Sequence, residues 1–439
     1  MSALRQRLEA YFEFQRLGTA WRTEILAGFT TYLTMSYIIF VNPSILRDAG
    51  MPVTAVAAAT CLAAALGSLL MGAYARYPIA LAPGMGLNAY FTYSVVIGMQ
   101  VPWQMALGAV FISGVIFFLL TVAGVQQAIV SAIPADLYSA VAAGIGLFLA
   151  LIGLRNAGIV VPNEATMVAL GDLAQPQPLV AVAGLLLIGS LVARRVKGAV
   201  VLGILGATLL GWFAGLVRWD PPSYDWSEFS AAAFQLDISA ALSLGLLEIV
   251  FVFWFVDFFD NIGTLMAVGK KANLFRDGNN IPRIRRILLS DATATMGGAL
   301  LGTSTVVNYI ESATGVAEGG RSGVTSAVTG LLFAASLFVI PVVSLIPAAA
   351  TAPALIIVGC LMMTTVREID WDNLVVAIPA FLTVITIPMS YSIANGLAIG
   401  FVFYTLLKAL RGEFRDVSWL VYLLTALFIG RFLYLGAAG

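Results

Sequence analysis

The chain has 439 residues, of which 60% are apolar and only 10% charged, and its mean hydropathy is +0.95. Soluble domains carry about 25% charged residues, so this composition excludes an ordinary soluble protein and predicts a chain that lies mostly in lipid. The 23 basic and 23 acidic residues cancel, and this balance gives no indication of a nucleic-acid partner.

The first 23 residues are polar and amphipathic, and they lack the short apolar stretch and cleavage site of a signal peptide. We predict that residues 1–23 form a retained cytoplasmic helix against the membrane. The two cysteines, Cys61 and Cys360, lie inside apolar runs and offer neither a disulfide framework nor a thiolate cluster. The sequence therefore predicts no metal site and no cofactor.

Fourteen apolar segments follow, and a spanning helix needs about 20 such residues. They lie at 24–43, 53–74, 80–96, 104–124, 136–154, 178–193, 198–217, 241–262, 284–302, 304–317, 325–345, 350–366, 372–389 and 391–409. With the N-terminus in the cytoplasm, the basic clusters at 194–197, 270–286 and 408–415 all fall inside. Both termini are therefore predicted to be cytoplasmic.

Two further stretches complete this topology. The loop 218–240 carries four acidic residues and falls on the external side. Residues 417–436 are apolar enough to form a fifteenth crossing, but Arg431 within them favours an interfacial or partly inserted helix.

A weak internal repeat divides the chain into two halves. Ile133-Pro134-Ala135 opens segment five and Ile346-Pro347-Ala348 opens segment twelve, while GAVF at 108–111 is echoed by GLLF at 330–333. Seven segments separate the members of each pair, so inversion relates the halves. We predict an all-α polytopic membrane protein with about 14 transmembrane segments in two seven-segment inverted repeats.

Segments three and ten are short and dense in helix-breaking or polar residues, at 82–91 and 302–315. Broken segments at matching places in two repeats indicate a transporter site, because they leave backbone groups unpaired within the membrane. Asn88 precedes Gly108 by 20 residues and Glu311 precedes Gly330 by 19, which predicts similar depths. For the glycines alone, close helix packing is an equal alternative.

Acidic residues in the apolar segments are candidates for chemistry. A charge at the bilayer centre costs at least about 2.5–3.5 kcal/mol, so Glu311 indicates function. Asp257 and Asp260 stand three residues apart on one helical face, where two like charges disfavour each other. Because the chain has no histidine, proton exchange falls to these carboxyl groups.

Structural explanations remain open for several acidic residues. Segment eight ends near the cytoplasm, where Asp257 and Asp260 would be solvated or paired with the basic loop 270–286. Asp291 and Glu318 are interpreted as structural residues near the cytoplasmic ends of their segments.

Three motifs carry a family resemblance: GMGLNAYFTY at 84–93, DFFDNIGTL at 257–265 and NYIESATGVAEGGRSG at 308–323. They resemble the AzgA-like branch of the nucleobase/ascorbate permeases, and the likeness runs from 31–43 to 387–401. The resemblance implies uptake of hypoxanthine, guanine or adenine, usually by proton symport. It also implies fourteen helices in a core and a gate domain, with a possible homodimer through the gate.

On this resemblance the domains and the site can be assigned. The core comprises 24–124 and 241–345, the gate 125–217 and 346–411, and 412–439 is a C-terminal apolar segment. The family's substrate positions fall on Asn88, Asp257 or Asp260, and Glu311, and the three acids are also the proton-coupling candidates. Further candidates are Phe91, Thr264 and Ser312, with core packing as the alternative for the aromatic ring. Thr264 occupies the place of a histidine in uracil and xanthine permeases, which favours purines.

The sequence thus predicts a secondary transporter of the inner membrane that imports a purine base with protons by an elevator-like or rocking motion. Sodium coupling through the same acids stays open. An anion or dicarboxylate carrier of the same fold is the first alternative, although three buried carboxylates argue against an anionic cargo. An intramembrane enzyme lacks a histidine, a P-loop and a nucleophile elbow, and a passive channel needs no matched titratable acids.

Overall fold

The computed structural model describes residues 2–124, 134–217, 226–242, 247–271, 281–343 and 345–438. The helices of the first half are α1 (Ser2–Tyr11), α2 (Phe14–Leu17), α3 (Trp21–Met35), α4 (Ile38–Asp48), α5 (Val53–Leu70), α6 (Met85–Ala89), α7 (Trp103–Ala123), α8 (Ala135–Asn156), α9 (Pro176–Ala193) and α10 (Ala199–Phe213). Two of them continue as π-helical turns, α5 through Met71–Ala75 and α6 through Tyr90–Gly98.

The helices of the second half are α11 (Trp226–Phe229), α12 (Ile238–Ala241), α13 (Leu247–Lys271), α14 (Ile284–Leu301), α15 (Ser312–Ala317), α16 (Gly323–Ala335), α17 (Ile340–Val343), α18 (Ala348–Met362), α19 (Leu374–Met389), α20 (Ile393–Leu410) and α21 (Trp419–Ala438). The 3₁₀ turns are Ser336–Val339, Met363–Glu368 and Phe414–Asp416. The strands are β1 (Leu81–Pro83), β2 (Val160–Asn163), β3 (Met167–Leu170) and β4 (Val306–Asn308).

Each predicted apolar segment coincides with at least one helix. Within the described residues, 8 helical stretches are long and apolar enough to cross a membrane, and three shorter apolar helices accompany them. The all-α polytopic class is therefore confirmed, and the departure from it is four short strands in the part of the chain that the structure describes. The number of crossings and the side on which each terminus lies stay predictions.

The two broken segments meet in a short antiparallel pairing. Strand β1 pairs with β4 in the register Leu81↔Asn308, Ala82↔Val307 and Pro83↔Val306, so backbone groups that lipid would leave unpaired satisfy each other. A Cβ on Gly84 would lie 2.9 Å from Val307 Cγ2, which explains the glycine there.

The antiparallel arrangement is the one expected of inverted repeats. Measured from the central pair, however, Asn88 lies six residues beyond Ala82 and Glu311 four beyond Val307. The similar depth of the two side chains in the membrane stays a prediction.

A buried carboxylate joins the start of α3 to the start of α16. Glu24 is fully buried and accepts hydrogen bonds from Arg321 N at 3.0 Å, Ser322 N at 3.1 Å, Thr325 Oγ1 at 2.5 Å and Thr19 Oγ1 at 2.7 Å. The Glu24 carboxylate is thus stabilised by two backbone N–H groups and two hydroxyl groups, none of which is positively charged. Helix α16 packs against both α3 and α5.

Contacts divide the chain into two units. One comprises Met1–Val122 and Leu154–Ala354, and the other Ala123–Gly153 and Leu355–Gly439. Helices α9 and α10, which the sequence assigns to the gate, group with the first unit, and α10 contacts α3. In the second unit α21 packs along α20, where Thr405 and Thr425 share a hydrogen bond of 2.7 Å. The core and gate boundaries and the membrane placement of α21 stay predictions.

Candidate functional site

The paired strands bring parts of both repeats together within the first contact unit. Helix α13 packs against β4, α15 and α6, and α6 packs against α4. Asn88 on α6, Asp257 and Asp260 on α13, and Glu311 before α15 therefore lie around one crossing point.

Glu311 and Asp260 are the two half-buried acids of this cluster. The hydroxyl of Tyr37 donates a hydrogen bond of 2.5 Å to Glu311 Oε1, and the Tyr37 side chain is itself buried. Asp260 lies close enough to Glu311 for their charges to interact, and its carboxylate accepts no hydrogen bond from any residue in the described ranges. The two acids thus differ, since one is held by a donor and the other is not.

Asp257 faces a different, fully buried network. Its Oδ1 accepts from Asn261 Nδ2 at 3.0 Å and its Oδ2 from Thr295 Oγ1 at 3.3 Å. The same Asn261 nitrogen donates to Asp291 Oδ2 at 2.7 Å. Asn261 Oδ1 accepts from the backbone N–H of Asn308 at 2.7 Å, so this network is tied directly to β4.

The structure bears on two statements about the acids. Helix α13 continues to Lys271, beyond the predicted end at 262, and Asp257 is buried, which disagrees with the alternative in which it is solvated near the cytoplasm. Asp291 was expected near a helix end, but it lies fully buried inside α14 and shares Asn261 with Asp257. An amide from another helix makes this burial tolerable, and the sequence of α14 alone does not show that partner.

Asn88 is fully buried and its orientation is set by a polar chain. Its Nδ2 donates to Asn42 Oδ1 at 2.7 Å, while Asn42 Nδ2 donates to Thr60 Oγ1 at 2.8 Å and to Thr303 Oγ1 at 2.9 Å. Among the residues that the structure describes, Asn88 Oδ1 has no hydrogen-bond partner, and neither polar side-chain atom of Asn308 has one. Buried amide atoms without partners are uncommon in folded proteins, so both amides are candidates for contact with a cargo.

The sequence interpretation missed several of these residues: Tyr37, Asn42, Asn261 and Asn308, together with the role of Asp291. The signal that could have found them is simple. Each is a polar side chain inside an apolar segment, where such residues are costly and often functional.

The three further candidates lie in different surroundings. Phe91 is fully buried, with its ring 6.4 Å from that of Phe253, so it packs in the core. Ser312 Oγ accepts a hydrogen bond of 3.0 Å from Ala80 N and thereby fixes the start of β1. Thr264 is half-buried one turn beyond Asp260. Among the residues that the structure describes, no group of three or more His, Cys, Asp and Glu side chains is arranged to hold a metal ion.

Solved structures share this fold at low sequence identity. The transmembrane domain of a cyanobacterium bicarbonate transporter, BicA, superposes with a TM-score of 0.64 at 14% identity, covering 86% of this chain and 97% of that one. The anion transporter Slc26a9, in a murine inward-facing structure, gives a TM-score of 0.62 at 13% identity and covers 89% and 69%. The architecture is therefore that of membrane transporters built from inverted repeats.

Sequence relatives align over nearly the whole chain. A putative permease of Methanocaldococcus jannaschii is 52% identical over 98% of both chains. The adenine permease AdeP of Escherichia coli is 41% identical over 98% of this chain and 97% of its own. The guanine/hypoxanthine permease PbuG of Bacillus subtilis is 43% identical over 98% and 100%.

The Xan_ur_permease model, described as Permease family, matches residues 22–408. This match and the relatives confirm the resemblance drawn from the three motifs. The chain therefore belongs to the Permease family, as an integral membrane permease and not an enzyme.

Proposed function

We propose that this protein imports a purine nucleobase across the cell membrane together with protons. The relatives named for adenine and for guanine and hypoxanthine align over almost the full length, which supports a cargo of this class. Asn88, Asp260 and Glu311 are the proposed cargo contacts, with Asn308 added from the structure and Asp257 beside them.

The observation that carries this proposal is the set of polar atoms around the strand crossing. Two half-buried carboxyl groups, Asp260 and Glu311, and two amides, Asn88 and Asn308, belong to segments that meet around this crossing. Asn88 Oδ1 and both polar side-chain atoms of Asn308 are buried without partners within the described ranges. A purine offers N–H donors to the carboxylates and ring-nitrogen or carbonyl acceptors to an amide N–H. A site of this kind rejects analogues that lack a matching group, because its buried polar atoms are then left unpaired.

Proton coupling is supported by the crowding of carboxyl groups. Asp257 and Asp291 both contact one nitrogen of Asn261, so their oxygens are no more than about 6 Å apart, where two full charges repel by about 3 kcal/mol at an effective dielectric constant near 20. In our proposal this pair shares a proton, and Asp257, Asp260 or Glu311 carries the coupled one. One proton that crosses a potential of about 100 mV gains about 2.3 kcal/mol. This free energy corresponds to roughly fiftyfold accumulation of the cargo inside the cell for each proton.

An anionic cargo is the main alternative, because the structural neighbours include bicarbonate and anion transporters. Their identity to this chain is too low to indicate more than a common fold. Within the described ranges, no Lys or Arg side chain forms a salt bridge with Asp257, Asp260, Asp291 or Glu311. Uncompensated acids repel an anion, which favours the neutral base.

The same proposal includes the transport motion and the assembly. The cargo contacts all belong to one contact unit, which suits a core domain that carries the base in an elevator-like or rocking movement against the gate. A homodimer through the gate is part of the proposal that rests on family resemblance alone.

The test is uptake of radiolabelled adenine, guanine and hypoxanthine by cells that lack purine permeases, with and without a protonophore. Glu311→Gln and Asp260→Asn should abolish accumulation at unchanged expression. Glu318→Gln is the matched control, because Glu318 is a partly exposed acid that pairs with Lys197 at 2.8 Å.

Proteoliposomes with an imposed proton or sodium gradient distinguish the coupling ion. Accumulation driven by sodium alone would overturn proton symport but keep the purine assignment. Uptake that never exceeds the external concentration would indicate a passive channel. Absence of purine uptake by well-expressed protein would reject the purine proposal and favour the anion carrier.

A further inference from the structure

The orientation of the Asn88 amide follows from hydrogen bonds that begin outside the site. Thr60 Oγ1 donates its only hydrogen to Val56 O at 2.6 Å, so it acts as an acceptor toward Asn42. The nitrogen of Asn42 therefore faces Thr60, and its second N–H goes to Thr303. The oxygen of Asn42 then lies on the other side, where it accepts a hydrogen bond from Asn88 Nδ2 at 2.7 Å.

The remaining atom of that amide is consequently an acceptor. Asn88 Nδ2 is bonded to Asn42 of α4, and α13, which carries Asp260, also packs against α6. Asn88 Oδ1 is buried and has no hydrogen-bond partner among the residues that the structure describes. The polar chain that starts at Thr60 thus presents the carbonyl oxygen of Asn88 for the cargo, beside the second N–H of Nδ2.

We propose that Asn42 is a positioning residue that sets the hydrogen-bonding polarity of the site, so that the cargo donates an N–H to Asn88. The inference rests on the proposed function. Adenine has no N–H on its six-membered ring and hypoxanthine has no exocyclic amino group, so the donor that adenine, guanine and hypoxanthine share is the imidazole N–H. In nucleosides the sugar replaces the hydrogen of the imidazole N–H. The hydrogen bond to Asn88 therefore favours free bases over nucleosides.

The experiment measures equilibrium binding of radiolabelled adenine and hypoxanthine to the purified full-length protein. Asn42→Leu removes the acceptor that holds Asn88, and we expect affinity to fall about tenfold to a hundredfold. Asn42→Asp keeps an oxygen toward Asn88 Nδ2 in either protonation state, so its affinity should stay within about fivefold of wild type.

A double-mutant cycle separates positioning from general structural damage. If Asn42 acts through Asn88, adding Asn42→Leu to Asn88→Ala causes no further loss of affinity. The matched control is Thr121→Val, which removes a buried hydroxyl that bonds only to Phe117 O in its own helix, at 2.7 Å. If Asn42→Leu fails to fold, Thr60→Val tests the same chain of hydrogen bonds. It removes one acceptor of Asn42 Nδ2, so the Asn42 amide can rotate, and it leaves Asn88 unchanged.

The outcomes distinguish a failure of the proposed function from a failure of the role assigned to Asn42. Absence of purine binding by wild type rejects the proposed function itself. Binding by wild type with equal losses in Asn42→Leu and Asn42→Asp, or with additive losses in the cycle, overturns the role of Asn42. Adenosine binding as tight as adenine binding overturns the assignment of the imidazole N–H as the donor to Asn88.

Discussion

The hydrogen bond from Tyr37 to Glu311 joins a buried aromatic residue to a proposed cargo contact. Tyr37→Phe keeps the ring, which fills its buried space, and removes only the hydroxyl that donates at 2.5 Å. A hydrogen bond to a charged group contributes about 1.5–3 kcal/mol. Since 1.4 kcal/mol is a factor of ten, we expect the KM for a purine to rise about tenfold to a hundredfold.

The assay is initial-rate uptake over a range of purine concentrations at matched surface expression. Because the hydroxyl orients a binding group and is not expected to take part in movement, the maximal rate should change by less than about threefold. A fall in maximal rate with unchanged KM would instead assign Tyr37 to the conformational step.

Tyr32→Phe is the matched control for this prediction. It also removes one phenolic hydroxyl, but that group bonds to Ser336 Oγ at 2.7 Å and not to an acid. We expect a KM within about twofold of wild type for the control. Equal changes in KM for Tyr32→Phe and Tyr37→Phe, or none in either, would refute the argument.

Three further predictions concern stability and packing. Glu24→Ala leaves four hydrogen-bond donors unpaired and should lower the free energy of unfolding by about 3–5 kcal/mol, and Glu24→Gln should lower it less. The measurement is unfolding in detergent, and equal stability of wild type and Glu24→Ala would contradict this prediction. Gly84→Ala places a methyl group 2.9 Å from Val307 Cγ2 and should abolish transport at normal expression, with partial recovery in combination with Val307→Ala. The hydrogen bond from Lys408 lowers the pKa of Glu413 below its ordinary value of 4.5. The ionised Glu413 therefore stabilises the folded protein above pH 4.5, and this stabilisation is lost as pH falls through the lowered pKa. The protection of amides around Glu413 against hydrogen exchange, relative to their intrinsic rates at each pH, should therefore fall in acid in wild type, and Glu413→Gln should remove that dependence.

Apolar composition was sufficient to predict the helical segments and the two broken ones. A run of about twenty apolar residues has few alternatives in a membrane, and glycine with proline marks the interruptions. The β1–β4 pairing could not be predicted in the same way, since three residues give no periodicity and the partner strand lies in the other repeat. The sequence therefore indicated the two broken segments, but it did not show that their backbones pair as β1 and β4.

The site residues show a similar division. Asn88, Asp260 and Glu311 stood out as polar residues in the three motifs, and Asn88 and Glu311 also lie in the two broken segments. Asp291 was misplaced because its burial depends on Asn261, which belongs to another helix. Helical spacing shows which residues share a face, but it does not show which face meets a neighbour.

The pairing of β1 with β4 also bears on how such a protein could arise. Each strand presents a three-residue edge whose backbone groups find no water in lipid, and its partner is supplied by the opposite repeat. A half-length ancestor could satisfy that edge only by associating with a second copy inserted in the reverse orientation. Gene duplication would then have fixed in one chain a partnership that earlier required two oppositely oriented subunits.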